Sequence, residues 1–496
     1  MRKPCFARVA ERKEESMKPA YTFFAILAIA FFSFSCATNP VTGKTEFMLL
    51  SEQDEIAMGR STDPQVVQTY GIYDNRDLAS YIGTMGRTMG TISHRPQLTY
   101  EFKVMDSPVI NAFAVPGGYV YLTRGILAYL NSEAELAGVM GHEIGHITAR
   151  HSAQQYSKSQ IAQIGLGLGS MLSPTFAQFS GLAAQGIGVL FLKFSRDNER
   201  EADSLGVEYS SKVGYDAREM THFFNTLNSM QESKQGSLPD FLSTHPNPEN
   251  RIGAIAASAQ QWQSQLNLTN PKISRGTYLM KIDGLVFGDD PRQGFVENSR
   301  FYHPQLKFMF PVPSGWKLEN LPAQVQIVSE DEQAAIVFSM GSEATPVAEA
   351  RKFLTESKAT VLSQKETTVN GFKSLVLASS LTSQSGVLTV LSYFINKDSS
   401  VFVFHGFTAE ANFAARQKQF QQTMNGFQAL RDADKLSVQP DRIRIKTISR
   451  RTTVRQALKE LGTPEADLKK LAQINGKALT DEVPANSQLK VIVKGR

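Results

Sequence analysis

The sequence predicts an α+β chain built in three consecutive parts. Three observations carry this. From Glu133 onward, Leu136, Val139, Met140, Ile144 and Ile147 recur at helical spacing, and the same segment holds His142-Glu143-Ile144-Gly145-His146. Between Tyr302 and Leu430 the runs Leu306–Pro311, Ala334–Ser339, Ser374–Ser379, Val387–Phe394 and Val401–Phe407 have strand character, with helical stretches at Pro346–Ser357 and Ala409–Met424. Residues 441–494 read strand, helix, helix, strand. With 42% hydrophobic residues in 496, the chain can build cores for about three domains and is not disordered by default.

In chain order, residues 1–35 read as a signal peptide. Arg2, Lys3, Arg8, Arg12, Lys13 and Lys18 precede an apolar run from Phe23 to Phe32, which meets Ser33-Phe34-Ser35-Cys36. The run is too short to span a bilayer as a helix. Met17-Lys18 makes a more ordinary start for such a segment than Met1. A small residue before Cys36 is similar to a lipobox, although Ser33 stands where leucine is commoner. Cys36 is therefore the expected lipidation site and first mature residue. Ala37 does not look like an inner-membrane retention signal, so the expected location is periplasmic, anchored by lipid to the outer membrane. Removal of Cys5 and acylation of Cys36 leave no free thiol, which excludes a disulfide scaffold and a cysteine nucleophile. The net charge of +5 divides into +3 for residues 1–35, −5 for the middle and +7 for residues 440–496, so the mature chain has a basic tail only.

Thr38–Leu50 is a short tether, and Ser51-Glu52-Gln53-Asp54 looks like a helix start. Leu98–Met105 alternates as a strand. Val109–Val115 and Tyr119–Thr123 follow around the turn Pro116-Gly117-Gly118. Asn111, Ala112, Phe113 and Ala114 read either as an edge strand that holds an extended peptide by main-chain hydrogen bonds, or as a plain core strand. Ser132 with Glu135 has the form of a capping box. His142 and His146, four apart, project from one helix face, where two imidazoles can hold two corners of a Zn²⁺ tetrahedron. Glu143 lies off those corners, placed as general base and proton shuttle for a water beside the metal.

The pattern needs a third ligand. Ala149 and Ser152 stand where the metzincin variant needs Gly and His, so that variant is excluded. His151, five residues past His146, is read as a solvent histidine. Ser195–Asp203 offers a better candidate on a second helix ending near Gly214. Glu199 can reach the metal, and Asp203, four residues on, can accept the outer N–H of a ligand histidine. Between the two helices, Ile161–Leu192 is apolar and glycine-rich with Ser173-Pro174 in its middle. It reads as a lid or helical hairpin over the site in preference to a membrane hairpin, each half being too short to span.

Four blocks now stand in order: Asn111-Ala112-Phe113-Ala114-Val115-Pro116-Gly117-Gly118, His142–His146, Glu199–Asp203, and Thr244-His245-Pro246-Asn247-Pro248-Glu249-Asn250-Arg251. Together they resemble the gluzincin metallopeptidase family of HtpX, BepA and the CAAX prenyl endopeptidase, over roughly residues 40–260. The resemblance implies a zincin-like metallopeptidase domain at 36–270 and one Zn²⁺ per chain on His142, His146 and Glu199. It implies polypeptide substrates, namely misfolded or stalled outer-membrane and envelope proteins under quality control. His245 and Arg251 are candidates to stabilise the oxyanion. His245 has a second role open, as a neutral imidazole in the fourth coordination position that shuts the site, and the resemblance implies such a switch. A rival reading is a periplasmic chaperone or assembly scaffold with minor peptidase activity, but the intact H-E-x-x-H and Glu199 favour the enzyme.

Residues 271–300 are expected as a linker. Residues 301–432 form the second α/β domain, whose Pro313-Ser314-Gly315-Trp316 turn is similar to those of PsbP/Mog1-type sandwiches. It shows no catalytic constellation, and His303 and His405 read as structural. In residues 440–496, Ile443–Ile448 opens and Val454–Leu461 is a helix stopped by Gly462. Thr463 caps and Pro464 starts a second helix, which ends near Asn475-Gly476, and Leu489–Val493 closes. This resembles a diverged LysM module, which implies glycan binding and so peptidoglycan contact. A small basic docking domain is the other reading. No Rossmann, P-loop or nucleic-acid motif occurs, so no nucleic-acid partner is expected.

Overall fold

The computed structural model describes residues 36–165, 193–232, 240–248, 250–383 and 386–495. The proposed signal peptide and most of the proposed lid, residues 166–192, lie outside the described residues. Helices and strands are mixed, with a largely helical N-terminal part followed by a large sheet. Among the described residues, no helix is long and apolar enough to cross a membrane.

Cys36 opens a hairpin of β1 (Cys36–Thr38) and β2 (Thr45–Phe47). Helices α1 (Glu52–Tyr70) and α2 (Arg76–Thr91) follow. Ser51 starts α1 with a reciprocal cap, its hydroxyl accepting from Asp54 N while the Asp54 carboxylate accepts from Ser51 N. Strands β3 (Glu101–Met105), β4 (Ala112–Val115) and β5 (Tyr119–Thr123) form a sheet in the order β3-β5-β4. The sequence placed the first of these from Leu98, but Leu98 N donates to Arg95 O in a turn, so the strand begins later. The hairpin between β4 and β5 needs glycine at Gly118, where φ is +108° and a Cβ would lie 2.3 Å from Thr99 O. β4 is an edge strand, antiparallel to β5.

Helix α3 (Arg124–Tyr129) leads into α4 (Glu133–Thr148), which carries H-E-x-x-H and is buried along its whole length. Its cap is half a box: Ser132 Oγ accepts from Glu135 N, but the Glu135 carboxylate accepts from Asn131 N. α5 (His151–Gly165) follows, and α6 (Arg196–Lys212) packs across α4. The crossing is built on glycines. A Cβ on Gly141 would lie 2.9 Å from Gly206 O, so larger residues would push the two helices apart. α7 (Met220–Glu232), α8 (Asp240–Thr244), α9 (Arg251–Gln265) and α10 (Arg275–Ile282) complete the helical part.

The stretch expected as a linker is structured from its start. Tyr278, Leu279 and Ile282 of α10 are fully buried in the peptidase-side core, and Tyr278 Oη donates to Leu127 O at 2.6 Å. These apolar residues recur at helical spacing, and burying them against α3 and α4 outweighs the local polarity that suggested a linker.

The sheet region holds a seven-stranded antiparallel sheet whose longest strands are Thr360–Val369, Phe372–Ser383, Gly386–Lys397 and Ser400–Ala409. One face packs Phe308, Phe338, Phe404, Phe420 and Phe427 into an aromatic core, and the other receives the helix Pro346–Ser357. At the C-terminus, Arg442–Thr447 pairs with Gln488–Val493 around helices Val454–Glu460 and Leu468–Ile474. Thr463 is not the cap of the second helix, which begins with a 3₁₀ turn at Glu465–Asp467 preceded by Pro464. This unit does not hang free. Ile443, Leu458, Leu471 and Leu489 share one core with Leu127, Leu136 and Phe223.

Candidate active site

α4 and α6 bring the predicted ligands to one point. His142 Nε2 lies 3.1 Å from His146 Nε2 and 3.5 Å from the Glu199 carboxylate, and His146 Nε2 lies 3.4 Å from Glu199. His245, arriving from the loop after α8, places Nδ1 3.3 Å from His142 Nε2 and 3.1 Å from Glu199. One donor atom from each of the four falls within 4.8 Å of the others, and all four residues are buried. Two imidazoles, a carboxylate and a further imidazole suit Zn²⁺. Three ring nitrogens and a carboxylate turned to one buried point offer lone pairs that a single cation can satisfy together, so the residues fit the ion.

Each of these candidate ligands is held from behind. His142 Nδ1 meets Asp203 Oδ1 at 2.9 Å, as the sequence suggested. Arg251 Nη2 donates to Asp203 at 2.6 Å and to Glu199 at 3.4 Å, while its guanidinium lies 3.7 Å above the Phe224 ring. Its Nε and Nη1 are buried without partners. Phe241 stacks on His245 with centroids 4.5 Å apart, and Phe194 stacks on His146 at 4.0 Å. Both Glu143 carboxylate oxygens are buried without a hydrogen-bond partner, and the nearer is 3.7 Å from His245 Nε2. Burial pushes the Glu143 carboxyl above its ordinary pKa. Burial also raises Glu199, but His245, His146 and His142 together pull it well below the usual carboxylate range. Burial holds His146 well below the ordinary imidazole value.

Asn111 and Ala112–Ala114 lie at and along the β4 edge, and β4 packs on α4. The Asn111 side-chain oxygen is buried without a partner. Cys36 stands apart in the β1–β2 hairpin, which is tied to α5 where Gln154 Nε2 donates to Glu46. The solvent reading of His151 is corrected: its side chain is fully buried, Nδ1 lies 2.9 Å from His146 Nδ1, and Nε2 lies 3.2 Å from Glu201. α4 stops at Thr148, and Arg150 takes a left-handed φ of +60°. Phe194 and Phe241 had no signal in the sequence beyond being aromatic.

A buried helix bearing H-E-x-x-H, with the Glu199 carboxylate brought beside it by α6, is a donor set that could hold zinc as gluzincin centres do. Residues 76–259 match the model of peptidase family M48. It is 30% identical over 266 residues to the Beta-barrel assembly-enhancing protease of Yersinia pestis, covering 51% of this chain and 53% of the relative. The protein of that name in Escherichia coli K12 is 30% identical over 260 residues, covering 50% and 52%. Mitochondrial metalloendopeptidase OMA1 of Arabidopsis thaliana is 31% identical over 213 residues, covering 42% and 41%. The chain spans about half the length of the curated relatives it matches. Among solved structures, cyanobacterial PsbP from Synechocystis sp. PCC 6803 is similar over 27% of this chain and 96% of its own, at 14% identity and a TM-score of 0.23.

Proposed function

We propose that this chain is a zinc endopeptidase of the periplasm that cleaves misfolded or stalled envelope proteins. The observation that carries the reading is the convergence of His142, His146 and Glu199 beside a buried, unpartnered Glu143 carboxylate. The relatives' printed names support proteolysis linked to β-barrel assembly.

Zinc, when bound, supplies a Lewis acid that polarises a scissile carbonyl and eases deprotonation of a neighbouring water. This chain's residues do the rest. The outer edge of β4, Asn111 to Ala114, which pairs with no further strand among the described residues, takes an extended peptide and presents its carbonyl to the site. Glu143, desolvated and without competing donors, takes the proton of the attacking water and delivers it to the leaving amine. Asp203 fixes the His142 ring, and Arg251 holds Asp203 and Glu199 while keeping free N–H groups. His245, close to His142, Glu199 and Glu143, is placed to take the fourth donor position and so hold the enzyme latent. Moved aside, its ring and the free N–H groups of Arg251 are the donors nearest a developing oxyanion.

The reading extends to anchoring through a lipid on Cys36 at the outer membrane. For residues 440–496, burial against the peptidase helices favours docking over free glycan capture.

The test is proteolysis of an unfolded outer-membrane protein by the full-length chain, with zinc measured in the same samples. Glu143→Gln keeps zinc and loses about 10²–10⁴-fold in rate. Glu199→Ala loses the metal, and His245→Ala raises basal cleavage. Near-normal turnover in Glu143→Gln would refute the mechanism. A cellular phenotype that survives this substitution would favour the chaperone or scaffold.

A further inference from the structure

We propose that His151 and Glu201 form a positioning pair for His146, setting which of its ring nitrogens faces the metal. This rests on reading the site as a zinc centre. His146 turns Nε2 toward His142 and Glu199, at 3.1 and 3.4 Å, so Nε2 is the ligating atom. Its Nδ1 lies on the far side, 2.9 Å from Nδ1 of His151. Nε2 of His151 then lies 3.2 Å from one Glu201 oxygen, and the other Glu201 oxygen is buried with no partner.

A neutral imidazole has one N–H and one lone pair. For His146 to offer its Nε2 lone pair to a metal, its hydrogen must sit on Nδ1 and be donated to His151. His151 Nδ1 is then the acceptor, so its own hydrogen sits on Nε2 and goes to Glu201. Every ring nitrogen in the chain has one role. Reversing the bond between the two histidines would place a hydrogen on the metal-facing nitrogen of His146. The left-handed turn at Arg150 brings His151 back over the edge of the His146 ring, and Phe194 stacks on the face of that ring at 4.0 Å and 25°. Ring plane and tautomer are thus fixed by separate residues.

The two histidine ligands are supported in different ways. His142 has a carboxylate directly on Nδ1. His146 has a neutral imidazole backed by a carboxylate. Outer partners of this kind typically account for about 10–100-fold in metal affinity.

The experiment measures zinc affinity of the full-length protein by chelator competition in wild type, His151→Leu and His151→Asn. Leucine fills the space without an acceptor. Asparagine places a side-chain oxygen close to where Nδ1 stands, and so restores the acceptor even if the leucine variant folds poorly. The expected result is zinc binding weakened by about 10–100-fold in His151→Leu and largely recovered in His151→Asn. Unchanged binding in His151→Leu overturns the proposal, as does an equal loss in both variants, which would mark residue 151 as a packing position. A wild-type protein that binds no zinc would overturn the metal reading itself, a different result from either.

Discussion

His142, His146 and His405 are the same side chain in different surroundings. The first two were legible because spacing four apart on a helix is itself a chemical statement. His405 was read as structural for want of any neighbours in sequence that could make a site. In the fold its Nδ1 is 2.8 Å from Ser392 Oγ, its ring stacks on Phe353, and burial lowers its pKa to about 4. The sign of the consequence is fixed. The unfolded chain takes up a proton near the ordinary value of about 6.5, and the folded chain resists until about 4. Stability from the neutral, half-buried ring is therefore full above that ordinary value and lost as pH falls toward 4. Denaturant midpoints of the sheet region are expected to drop across this window, with a shallower drop in His405→Phe. Parallel pH profiles for the two proteins would refute the assignment. His151 was illegible for the opposite reason: its partner is near in sequence, but the backbone turn that joins them leaves no mark in the residue types.

At the scale of elements, the helices were legible from periodicity and caps, and the edge strand from alternation and a glycine turn. What the residue pattern did not show is how closely α4 and α6 cross. Glycine is permissive in many settings, so Gly141 and Gly206 announced nothing alone. Their importance lies in a pairing across some sixty residues of chain. A Cβ at Gly206 would lie 3.0 Å from His142 N and 3.1 Å from Gly138 O. Both contacts are backbone, so neither can swing away. Gly206→Val is expected to separate the helix that carries Glu199 from the helix that carries the histidines. It should cost about 1–3 kcal/mol in stability and lower zinc affinity as well. Calorimetry with metal analysis checks both, and a variant with normal melting and full zinc would show that the crossing tolerates the added volume.

For the whole molecule, residues 440–496 set themselves apart in sequence by a βααβ pattern and a surplus of positive charge. Neither property reveals what the unit packs against. One of those charges is not on the surface at all. Lys490 is fully buried, and its Nζ donates to Ala128 O at 2.8 Å and Leu130 O at 2.9 Å, carbonyls at the end of α3 that lack helical partners. Arg275 donates to Asn131 O and, more weakly, to Gln488 O, joining the same loop to the last strand. This loop runs directly into Ser132, the cap of α4. The C-terminal unit therefore holds the entrance of the zinc helix. Peptidase and C-terminal unit are expected to unfold together as one cooperative block. Lys490→Ala strands two buried carbonyls and should lower stability by about 1–3 kcal/mol for each one left unsatisfied. The diagnostic measurement is amide hydrogen exchange in the native full-length protein. Lys490→Ala should raise exchange at once in the C-terminal unit and in the first turn of α4. Faster exchange confined to residues 440–495, with the first turn of α4 as protected as before, would mean that the unit is bound to the peptidase but does not brace it.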